Sequence, residues 1–341
     1  MGMVKTREKL TGKSFSDRLS WRIIGIVVVV SLFSQTVAAI VIADGSFSPM
    51  DWWRESSMLL IYLNIIGLVS LVVLYFLCRG VVRRSVFYGE ELEKTTAAKK
   101  RMESDLTMAH NIQQGMLRTG FPPNLYAFLQ PAKEVGGDLY DFDMKDDQLY
   151  FAIADVSGKG VAASLLMAIT RVMVRFVVGM GLPMDETVRR INDSFSNSNE
   201  ASMFVTMFVA RIDLKTGHMD YCNAGHCPLL VMPPNAEPYL LKCKPNLALG
   251  LFEKFNYEAE QIDFEPGTRL MAYTDGVTEA ERKDMSQYGN ERLLAWAKHV
   301  HESDEEKTVV ESLYQSVCEF MEGNPQNDDI TIMSVKIPNG V

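Results

Sequence analysis

The pattern of hydrophobic and polar positions separates the first part of the chain from the rest. Two long apolar runs occupy residues 23–43 and 58–78, and neither contains a charged side chain. A helix of about 21 residues rises ~32 Å, which matches the hydrocarbon core of a bilayer. The two runs therefore predict a transmembrane hairpin, preceded by a basic segment at residues 1–22.

The basic side chains that flank the two spans predict the orientation of the hairpin. Lysines and arginines are frequent in residues 1–22 and return directly after the second span, at Arg79, Arg83 and Arg84. Because cytoplasmic flanks carry the excess of positive charge, both chain ends should be cytoplasmic, with residues 44–57 as a short outer loop. A multi-pass protein of the inner membrane is therefore expected. A cleaved signal peptide is the competing interpretation, but it fits two apolar runs poorly.

A polar segment rich in helix-forming residues, residues 79–119, follows the hairpin. Its apolar positions recur at spacings of three and four, which predicts an amphipathic linker helix. These positions are Met102, Leu106, Ala109, Ile112 and Met116. Pairing of the linker helix with a second copy would give a homodimer, whereas a solvated connector is the alternative. Gly120 and Pro122 should end the helix.

The remaining part of the chain, residues 120–341, mixes strand-like and helix-like patterns. Strands are predicted where β-branched and aromatic residues are dense, at residues 148–156, 203–213 and 268–275. Helices are predicted where apolar residues recur with helical spacing, at residues 160–179, 184–195 and 302–322. Runs of strands with paired helices, rather than strict alternation, favour an α+β domain built in layers.

Composition and charge exclude several classes of function. The formal net charge is -9, which argues against general nucleic-acid binding, because a phosphate backbone requires clustered lysine and arginine. The five cysteines are odd in number and include no C-x-x-C pair, so neither a disulfide framework nor a zinc site is expected. The 47% of hydrophobic residues is typical of a protein that forms an ordinary core.

Aspartates stand at or beside the ends of apolar runs in four separate segments. They are Asp138 and Asp141 in GGDLYD, Asp155 in FAIADVSGKG, Asp275 in MAYTDGVTEA, and Asp328 and Asp329 in NDDIT. A carboxylate at the end of a buried strand is unfavourable unless it is paired, hydrogen-bonded or bound to a cation. One such aspartate alone is commonly a helix cap or turn residue, but four segments together favour a site for Mg²⁺ or Mn²⁺. Gly137 and Gly158 would allow the backbone to approach the ions closely.

These segments, taken with two others, resemble a known family. The segments are EVGGDLYDF, ADVSGKGVAASLLMA, NAGHCPLL, LALGLFE, TDGVTEA and NDDIT. Together they resemble the PPM-type (protein phosphatase 2C-like) serine/threonine phosphatases, in their bacterial SpoIIE/RsbU branch. The resemblance implies an α-β-β-α sandwich for residues 120–341, with a two-metal centre in the cleft between the central sheets.

The resemblance also implies a role for each aspartate. Matched motif by motif, the metal ligands would be Asp138, Asp155, Asp275 and Asp328, with the Val156 carbonyl as a backbone ligand. The two Mn²⁺ or Mg²⁺ ions would share Asp155. The accessory positions would be Asp141, Asp329, Gly137 and Gly158, and a neighbouring carboxylate can exchange roles with a ligand.

The resemblance implies a phosphatase in bacterial signalling. The family's usual substrate is a phosphorylated anti-sigma-factor antagonist of the STAS type, so hydrolysis of phosphoserine or phosphothreonine on a cytoplasmic partner is expected. A metal-activated water would attack phosphorus, and an upstream segment commonly switches the activity. A change in pairing of the linker helix could reposition the helix predicted at residues 160–179 against the aspartates.

Two other functions compete with this interpretation. A catalytically silent, membrane-anchored module would bind the partner without turning it over. GGDLYD superficially resembles the loop of diguanylate cyclases, but Leu139 stands where that loop has an acid.

His226, in NAGHCP, is expected to be structural or at the cleft edge rather than a general acid. Lys159 could approach a phosphate, although a solvated loop lysine is the plainer expectation.

Overall fold

The computed structural model describes residues 49–196 and 203–339, together with five positions between residues 25 and 36. The basic segment, residues 1–22, and nearly all of the first predicted span, residues 23–43, lie outside the described residues. The first half of the predicted transmembrane hairpin therefore stays a prediction, and only the second span can be compared with the structure.

The chain divides into two compact units, of which the first ends at Met102 and the second begins at Glu103. The described part of the first unit is helical from Pro49 onward, as part of helix α1 (Pro49–Met116). Proline is favoured at the first position of a helix because its missing N–H would have no partner there. The helix covers the second predicted span, residues 58–78, but it also begins inside the segment expected to be an outer loop.

Two described helices are long and apolar enough to cross a membrane, judged by length and composition alone. One is the part of α1 from Asn64 onward, along which apolar side chains such as Leu68 and Phe76 are exposed. The other is α2 (Val161–Val178), of which 33% is buried in its most apolar window. Packing on a sheet in the second unit buries one face of α2, including Met167 and Val174, whereas Leu165, Val172 and Phe176 on the same helix are exposed.

Ten strands in the described part of the second unit form two five-stranded sheets. Sheet A contains, in spatial order, β1 (Leu125–Gln130), β10 (Ile330–Lys336), β9 (Arg269–Tyr273), β6 (Leu230–Met232) and β7 (Tyr239–Leu240). Sheet B contains β2 (Leu139–Lys145), β3 (Gln148–Val156), β4 (Val205–Asp213), β5 (His218–Ala224) and β8 (Glu260–Asp263). All neighbouring strands are antiparallel.

Helices cover the outer face of each sheet, and the two inner faces pack against each other. The remaining helices of this unit are α3 (Met184–Ser196), α4 (Asp275–Thr278), α5 (Gly289–Ala297) and α6 (Glu306–Met321). Apolar side chains of both inner faces, such as Phe151 and Met333, form one core. Met167 of α2 packs with the outer face of sheet B, and Leu313 of α6 packs with that of sheet A. The layers are therefore helix, sheet, sheet and helix, as the resemblance implies.

The strands and helices predicted by pattern are present, with small errors at their ends. Strand β3 has the predicted bounds, while β4 and β9 are shorter than predicted. Helices α2 and α6 lie within their predicted ranges, and α3 extends one residue further, to Ser196. The middle of β3 is buried on both faces, since a sheet covers one face and helices cover the other. Its sequence is therefore a continuous apolar run rather than a clean alternation.

The strand ends that carry the aspartates follow from this pairing. In sheet B, β2 begins immediately after Asp138, and its antiparallel neighbour β3 ends one residue beyond Asp155. In sheet A, β9 ends two residues before Asp275, and its antiparallel neighbour β10 begins immediately after Asp329. An antiparallel pair brings the start of one strand beside the end of the next. In each sheet, the aspartates therefore lie together at one end of the strands.

Candidate active site

Asp138 connects the two sheets at the end of the sandwich. The residue is 1% exposed, and its carboxylate Oδ2 accepts hydrogen bonds from the hydroxyls of Thr274 at 2.7 Å and Thr331 at 2.5 Å. Thr274 follows β9 and Thr331 lies in β10, so both donors belong to sheet A, whereas Asp138 precedes β2 of sheet B. The backbone N–H of Thr331 also donates to Thr274 Oγ1, at 3.0 Å. The aspartate-bearing ends of the two sheets thus meet in one cleft.

The carboxylates of the cleft raise one another's pKa. Burial raises the pKa of Asp138 well above its ordinary value, Asp155 and Asp329 raise it further, and the two threonine hydroxyls oppose the shift. Burial also raises the pKa of Asp155 to about 7, with further contributions from Asp275 and Asp328. The pKa of Asp275 is raised by burial and then by Asp328. Carboxylates gathered in this way make a strongly negative cleft that a bound cation would stabilise.

Asp328 is paired with a lysine from the loop that follows β3. Lys159 Nζ lies 2.9 Å from Asp328 Oδ2 and donates a hydrogen bond to the Asn327 carbonyl at 2.5 Å. Burial lowers the pKa of Lys159, but the hydrogen bond and the charge of Asp328 outweigh this and raise it. The expectation of a merely solvated lysine is therefore incomplete, since Lys159 supplies a positive charge at the mouth of the cleft.

Asp329 positions the turn that carries Asp138. Its Oδ2 accepts the Gly137 N–H at 2.7 Å, and its Oδ1 accepts the Ala132 N–H at 2.8 Å. The approach is so close that a Cβ added to Gly136 would lie 2.2 Å from Asp329 Oδ2. Asp329 thus holds the backbone immediately before Asp138, a predicted ligand.

Glycines allow the loops of the cleft to approach one another. A Cβ added to Gly137 would lie 2.8 Å from the carbonyl oxygen of Val156, the predicted backbone ligand. A Cβ added to Gly276 would lie 1.9 Å from the carbonyl oxygen of Asp329. Neither distance leaves room for a side chain. Gly158 adopts a φ of +94°, in the left-handed region that favours glycine, so the loop after Asp155 has the turn expected from its sequence.

Asp141 lies on the outer face of β2, where arginines surround it. Arg175 binds both of its oxygens, through Nε at 2.5 Å and Nη2 at 3.2 Å. The Nε atoms of Arg171 and Arg118 lie 3.4 Å and 3.9 Å from the same carboxylate. The structure therefore makes Asp141 the counter-ion of three guanidinium groups. It does not bring Asp141 to the carboxylates around Asp155, where the sequence placed it as an accessory residue.

His226 and Cys227 occupy a buried turn after β5. The His226 N–H donates to Asn223 Oδ1 at 2.7 Å, and its ring Nδ1 pairs with the Thr206 hydroxyl at 2.9 Å. Burial lowers the pKa of His226 to about 4, so its ring is neutral near pH 7. Burial and the charge of Asp275 raise the pKa of Cys227 to about 12, so its thiol stays protonated. Neither side chain supplies a charged acid or a thiolate nucleophile.

The donors of the cleft fit hard divalent cations. The four predicted ligand side chains and the Val156 carbonyl all present oxygen, the donor that Mg²⁺ and Mn²⁺ prefer. In the part of the chain that the structure describes, no three His, Cys, Asp or Glu side chains converge as a complete ligand group. Mg²⁺ commonly keeps several waters and takes only one or two carboxylates from a protein. A coordination shell completed largely by water therefore suits this spacing.

Three residues at or beside the cleft were not predicted from the sequence. Thr274 and Thr331 each stand within two residues of an aspartate that the motifs single out, which is the only signal the sequence offers for them. Gln113 of α1 is 4% exposed and exchanges two hydrogen bonds with the backbone of Gly136, through Nε2 at 2.7 Å and Oε1 at 3.1 Å. A buried amide on a polar helix cannot be told from a solvated one by pattern alone.

A comparison with protein families gives one match. The sequence model for Stage II sporulation protein E (SpoIIE) matches residues 145–338. This range covers more than half of the 341 residues of the chain. It begins after Asp138, so the place of Asp138 in the cleft rests on the geometry described above.

Curated proteins similar to this chain include two that match three quarters of it. Protein IcfG of Synechocystis sp. is 27% identical over 292 residues, which cover 75% of this chain and 46% of IcfG. The phosphoserine phosphatase RsbU of Bacillus subtilis is 25% identical over 272 residues, which cover 76% of this chain and 78% of RsbU. The match thus spans about half the length of IcfG and most of RsbU.

Solved structures with a similar fold include two PP2C domains. The SiaA-PP2C domain of Pseudomonas aeruginosa has a TM-score of 0.63 at 19% identity and covers 70% of this chain and 98% of that domain. The PP2C phosphatase domain of SpoIIE from Bacillus subtilis, solved with a fragment of its regulatory domain, has a TM-score of 0.56 at 18% identity. That match covers 64% of each chain. At these identities the two likenesses show the fold.

Proposed function

The chain belongs to the SpoIIE family of PP2C-type phosphatases, and from this premise we propose that it hydrolyses phosphoserine or phosphothreonine on a cytoplasmic partner protein. The observation that carries the proposal is the single cleft formed by Asp138, Asp155 and Asp275 at the ends of both sheets. The resemblance to the SpoIIE/RsbU branch supports a STAS-type anti-sigma-factor antagonist as the partner. RsbU and RsbP, two relatives, carry the name phosphoserine phosphatase.

The chemistry proposed for the cleft depends on two Mg²⁺ or Mn²⁺ ions. The residues that would hold them are Asp138, Asp155, Asp275 and Asp328, with the Val156 carbonyl. Such ions lower the pKa of a bound water and neutralise the oxygens of a phosphoryl group. The protein's own part is to fix the ligands: two threonine hydroxyls hold Asp138, and Asp329 holds the turn before it.

Lys159 is proposed to bind the phosphoryl group of the substrate. Its ammonium group is charged, partly exposed and already 2.9 Å from Asp328 at the mouth of the cleft. A phosphate monoester would offer more negative charge and more acceptor oxygens than one carboxylate, so Lys159 would turn towards it. Its positive charge would also offset the repulsion between the aspartates and an anionic substrate.

Hydrolysis without a covalent intermediate agrees with the side chains near the cleft. The thiol of Cys227 has a pKa raised to about 12, so at neutral pH it does not attack phosphorus as a thiolate. The ring of His226 is buried and its pKa is lowered to about 4, so it does not serve as a protonated general acid. Water is then the nucleophile of the proposed reaction.

Phosphate release from a phosphorylated STAS protein tests the proposal. The purified full-length chain should release phosphate with Mn²⁺ or Mg²⁺ and stop on addition of EDTA. Asp155→Asn should abolish release, whereas Asp146→Asn, an exposed turn position far along the same hairpin, should leave it intact. Undiminished release by Asp155→Asn, or in excess EDTA, would exclude the mechanism. Tight binding of the phosphorylated partner without any release would instead identify a catalytically silent binding module.

Membrane insertion and dimer formation are proposed from helix α1. Residues 58–78 would cross the inner membrane and keep the second unit in the cytoplasm, because the flanking arginines follow this span. Met102 and Ile112 of the linker stripe are 65% and 62% exposed, which leaves them free to pair with a second copy. Release of the protein from membranes by alkaline carbonate would contradict the membrane anchor. Failure of Met102→Cys to form an intermolecular disulfide in membranes would contradict the paired linker.

A further inference from the structure

A cavity of about 240 Å³ lies between the C-terminal half of α2 and the outer face of β2, β3 and β4. Its apolar lining includes Ala152 and Val209 from the sheet and Val174 and Val178 from the helix. An apolar cavity of roughly 150 Å³ in another protein is known to hold a benzene molecule. The space is therefore large enough for an aromatic ring or a short hydrocarbon chain.

Charged side chains stand at the same cavity. Arg118, Arg175, Asp141 and Asp143 contribute to its lining, with Arg118 Nη2 donating to Asp143 Oδ1 at 2.7 Å. Arg171 approaches Asp141 as well, at 3.4 Å. Three guanidinium groups thus face two carboxylates, and one positive charge is in excess. An apolar space with a few convergent polar groups is the usual form of a small-molecule site.

The hydrogen bonding around Asp141 leaves one of these arginines incompletely satisfied. Asp141 already accepts two hydrogen bonds from Arg175 and one from the Phe142 N–H at 2.9 Å. Arg171 is 7% exposed, and its Nε lies near Asp141 without a hydrogen bond. A buried donor without an acceptor is unfavourable, because it has lost its water and gained nothing in return. Arg171 does not line the cavity itself, but its positive charge adds to those of Arg118 and Arg175, which do line it and are therefore available to a further anionic acceptor.

We propose that this cavity binds a small organic monoanion, a carboxylate joined to an aromatic ring or a short hydrocarbon chain. The ring or chain fills the apolar space beside Ala152 and Val209. The carboxylate lies between Arg118 and Arg175, where guanidinium groups bind it through paired N–H donors. The Asp143 carboxylate is mostly exposed, so Arg118 can leave it and bind the carboxylate of the ligand instead. The site is separate from the cleft, since none of its lining residues is a predicted metal ligand.

The position of the cavity connects it with the cleft. Helix α2 begins at Val161, directly after the loop that contains Lys159 and follows Asp155 of β3, and Arg175 lies on the same helix. A ligand that holds α2 against sheet B is expected to change the Mn²⁺ concentration needed for phosphatase activity. This second effect rests on the proposed function, whereas binding itself does not, so the two can fail separately.

Binding is tested with 3-phenylpropionate and the full-length chain in detergent. Ligand-observed NMR should give a Kd of about 1 mM, as expected for a ligand of this size. The neutral amide of the same acid should bind at least about tenfold more weakly, because it cannot satisfy the excess positive charge. Equal binding of acid and amide, or no binding of the acid beyond a detergent-only sample, would overturn the proposal.

Two variants locate the site. Ala152→Leu fills the apolar space and should weaken binding by about tenfold or more. Asp143→Asn frees Arg118 and should tighten binding about two- to fivefold, a gain that misfolding cannot produce. Asp146→Asn is the matched control, since it removes the same charge from an exposed turn outside the cavity lining. A gain no larger in Asp143→Asn than in Asp146→Asn, or unchanged binding in Ala152→Leu, would show that the anion binds elsewhere.

Discussion

Replacing Thr331 with valine should weaken activation of the phosphatase by metal, and more strongly at low pH. Thr331 is fully buried, and its hydroxyl donates a hydrogen bond of 2.5 Å to Asp138 Oδ2. Valine keeps the branched shape suited to strand β10 but has no hydroxyl. A hydrogen bond to a charged group contributes about 1.5–3 kcal/mol, so the carboxylate of Asp138 loses about this much stabilisation.

The sign of the pH dependence follows from the state that the hydroxyl stabilises. The hydrogen bond favours the charged carboxylate, so its loss raises the pKa of Asp138, which burial already holds above its ordinary value. At about 1.4 kcal/mol for each tenfold change in an equilibrium constant, the lost hydrogen bond favours the proton on this carboxylate by roughly 10- to 100-fold. A cation competes with the proton for this carboxylate. The Mn²⁺ concentration for half-maximal activity should therefore rise roughly 10- to 100-fold near pH 6, and much less near pH 9.

The assay is a Mn²⁺ titration of phosphate release at both pH values. Thr331→Ser is the matched control, because it keeps the hydroxyl and should respond to Mn²⁺ almost as the parent does. Thermal melting of both variants separates a local effect from unfolding. If a folded Thr331→Val needed no more Mn²⁺ than the parent at either pH, the hydrogen bond would have no part in preparing Asp138 to bind the cation. An equal rise at both pH values would refute the explanation through the pKa of Asp138.

Four substitutions test other parts of the structure. Asp155→Asn should raise the melting temperature of the metal-free protein near pH 8 but not near pH 4. Burial raises the pKa of Asp155 in the folded protein to about 7. The carboxyl therefore destabilises the fold only at pH values where it is ionised in the unfolded chain. Gly276→Ala places a Cβ 1.9 Å from a backbone oxygen and should lower the free energy of unfolding in urea by about 3 kcal/mol or more. Gly115→Ala, with nothing within 4 Å, should be neutral or stabilising. Arg269→Met leaves the buried Glu306 without its positively charged partner and should lower the melting temperature by roughly 6–20 °C.

The layers of the fold could be predicted because local patterns and tertiary packing agree there. The apolar run of β3 is long enough for a strand and is covered on both sides, so its bounds could be predicted from sequence. The start of α1 could not, because Pro49 and the polar residues after it have the composition of a loop. A proline at a first helical position and a proline in a turn look alike in the sequence, and the fold around them decides between the two.

The roles of paired aspartates depend on strand geometry that the motifs do not contain. Asp138 and Asp141 are three positions apart, and successive side chains of a strand point to opposite faces, so they leave the start of β2 in opposite directions. One reaches the cleft between the sheets, and the other reaches the arginines of α2. Asp328 and Asp329 divide in the same way, one towards Lys159 and the other towards the turn before Asp138. The motif shows where the aspartates stand in the sequence, but the alternation of side chains along the strand decides which of them reaches the cleft.

The end of α1 is bonded to the turn before Asp138, which changes how the linker can act on the cleft. The sequence alone suggests that a change in pairing of the linker helix, which joins the spans directly to the catalytic domain, repositions the helix at residues 160–179. The described contacts lead elsewhere: Gln113 exchanges two hydrogen bonds with the backbone of Gly136. The same turn is held by Asp329 from the other side. Movement of the linker end would therefore displace Asp138, a proposed metal ligand. If Asp138 is a ligand, a signal from the linker would change cation affinity before it changed the position of α2.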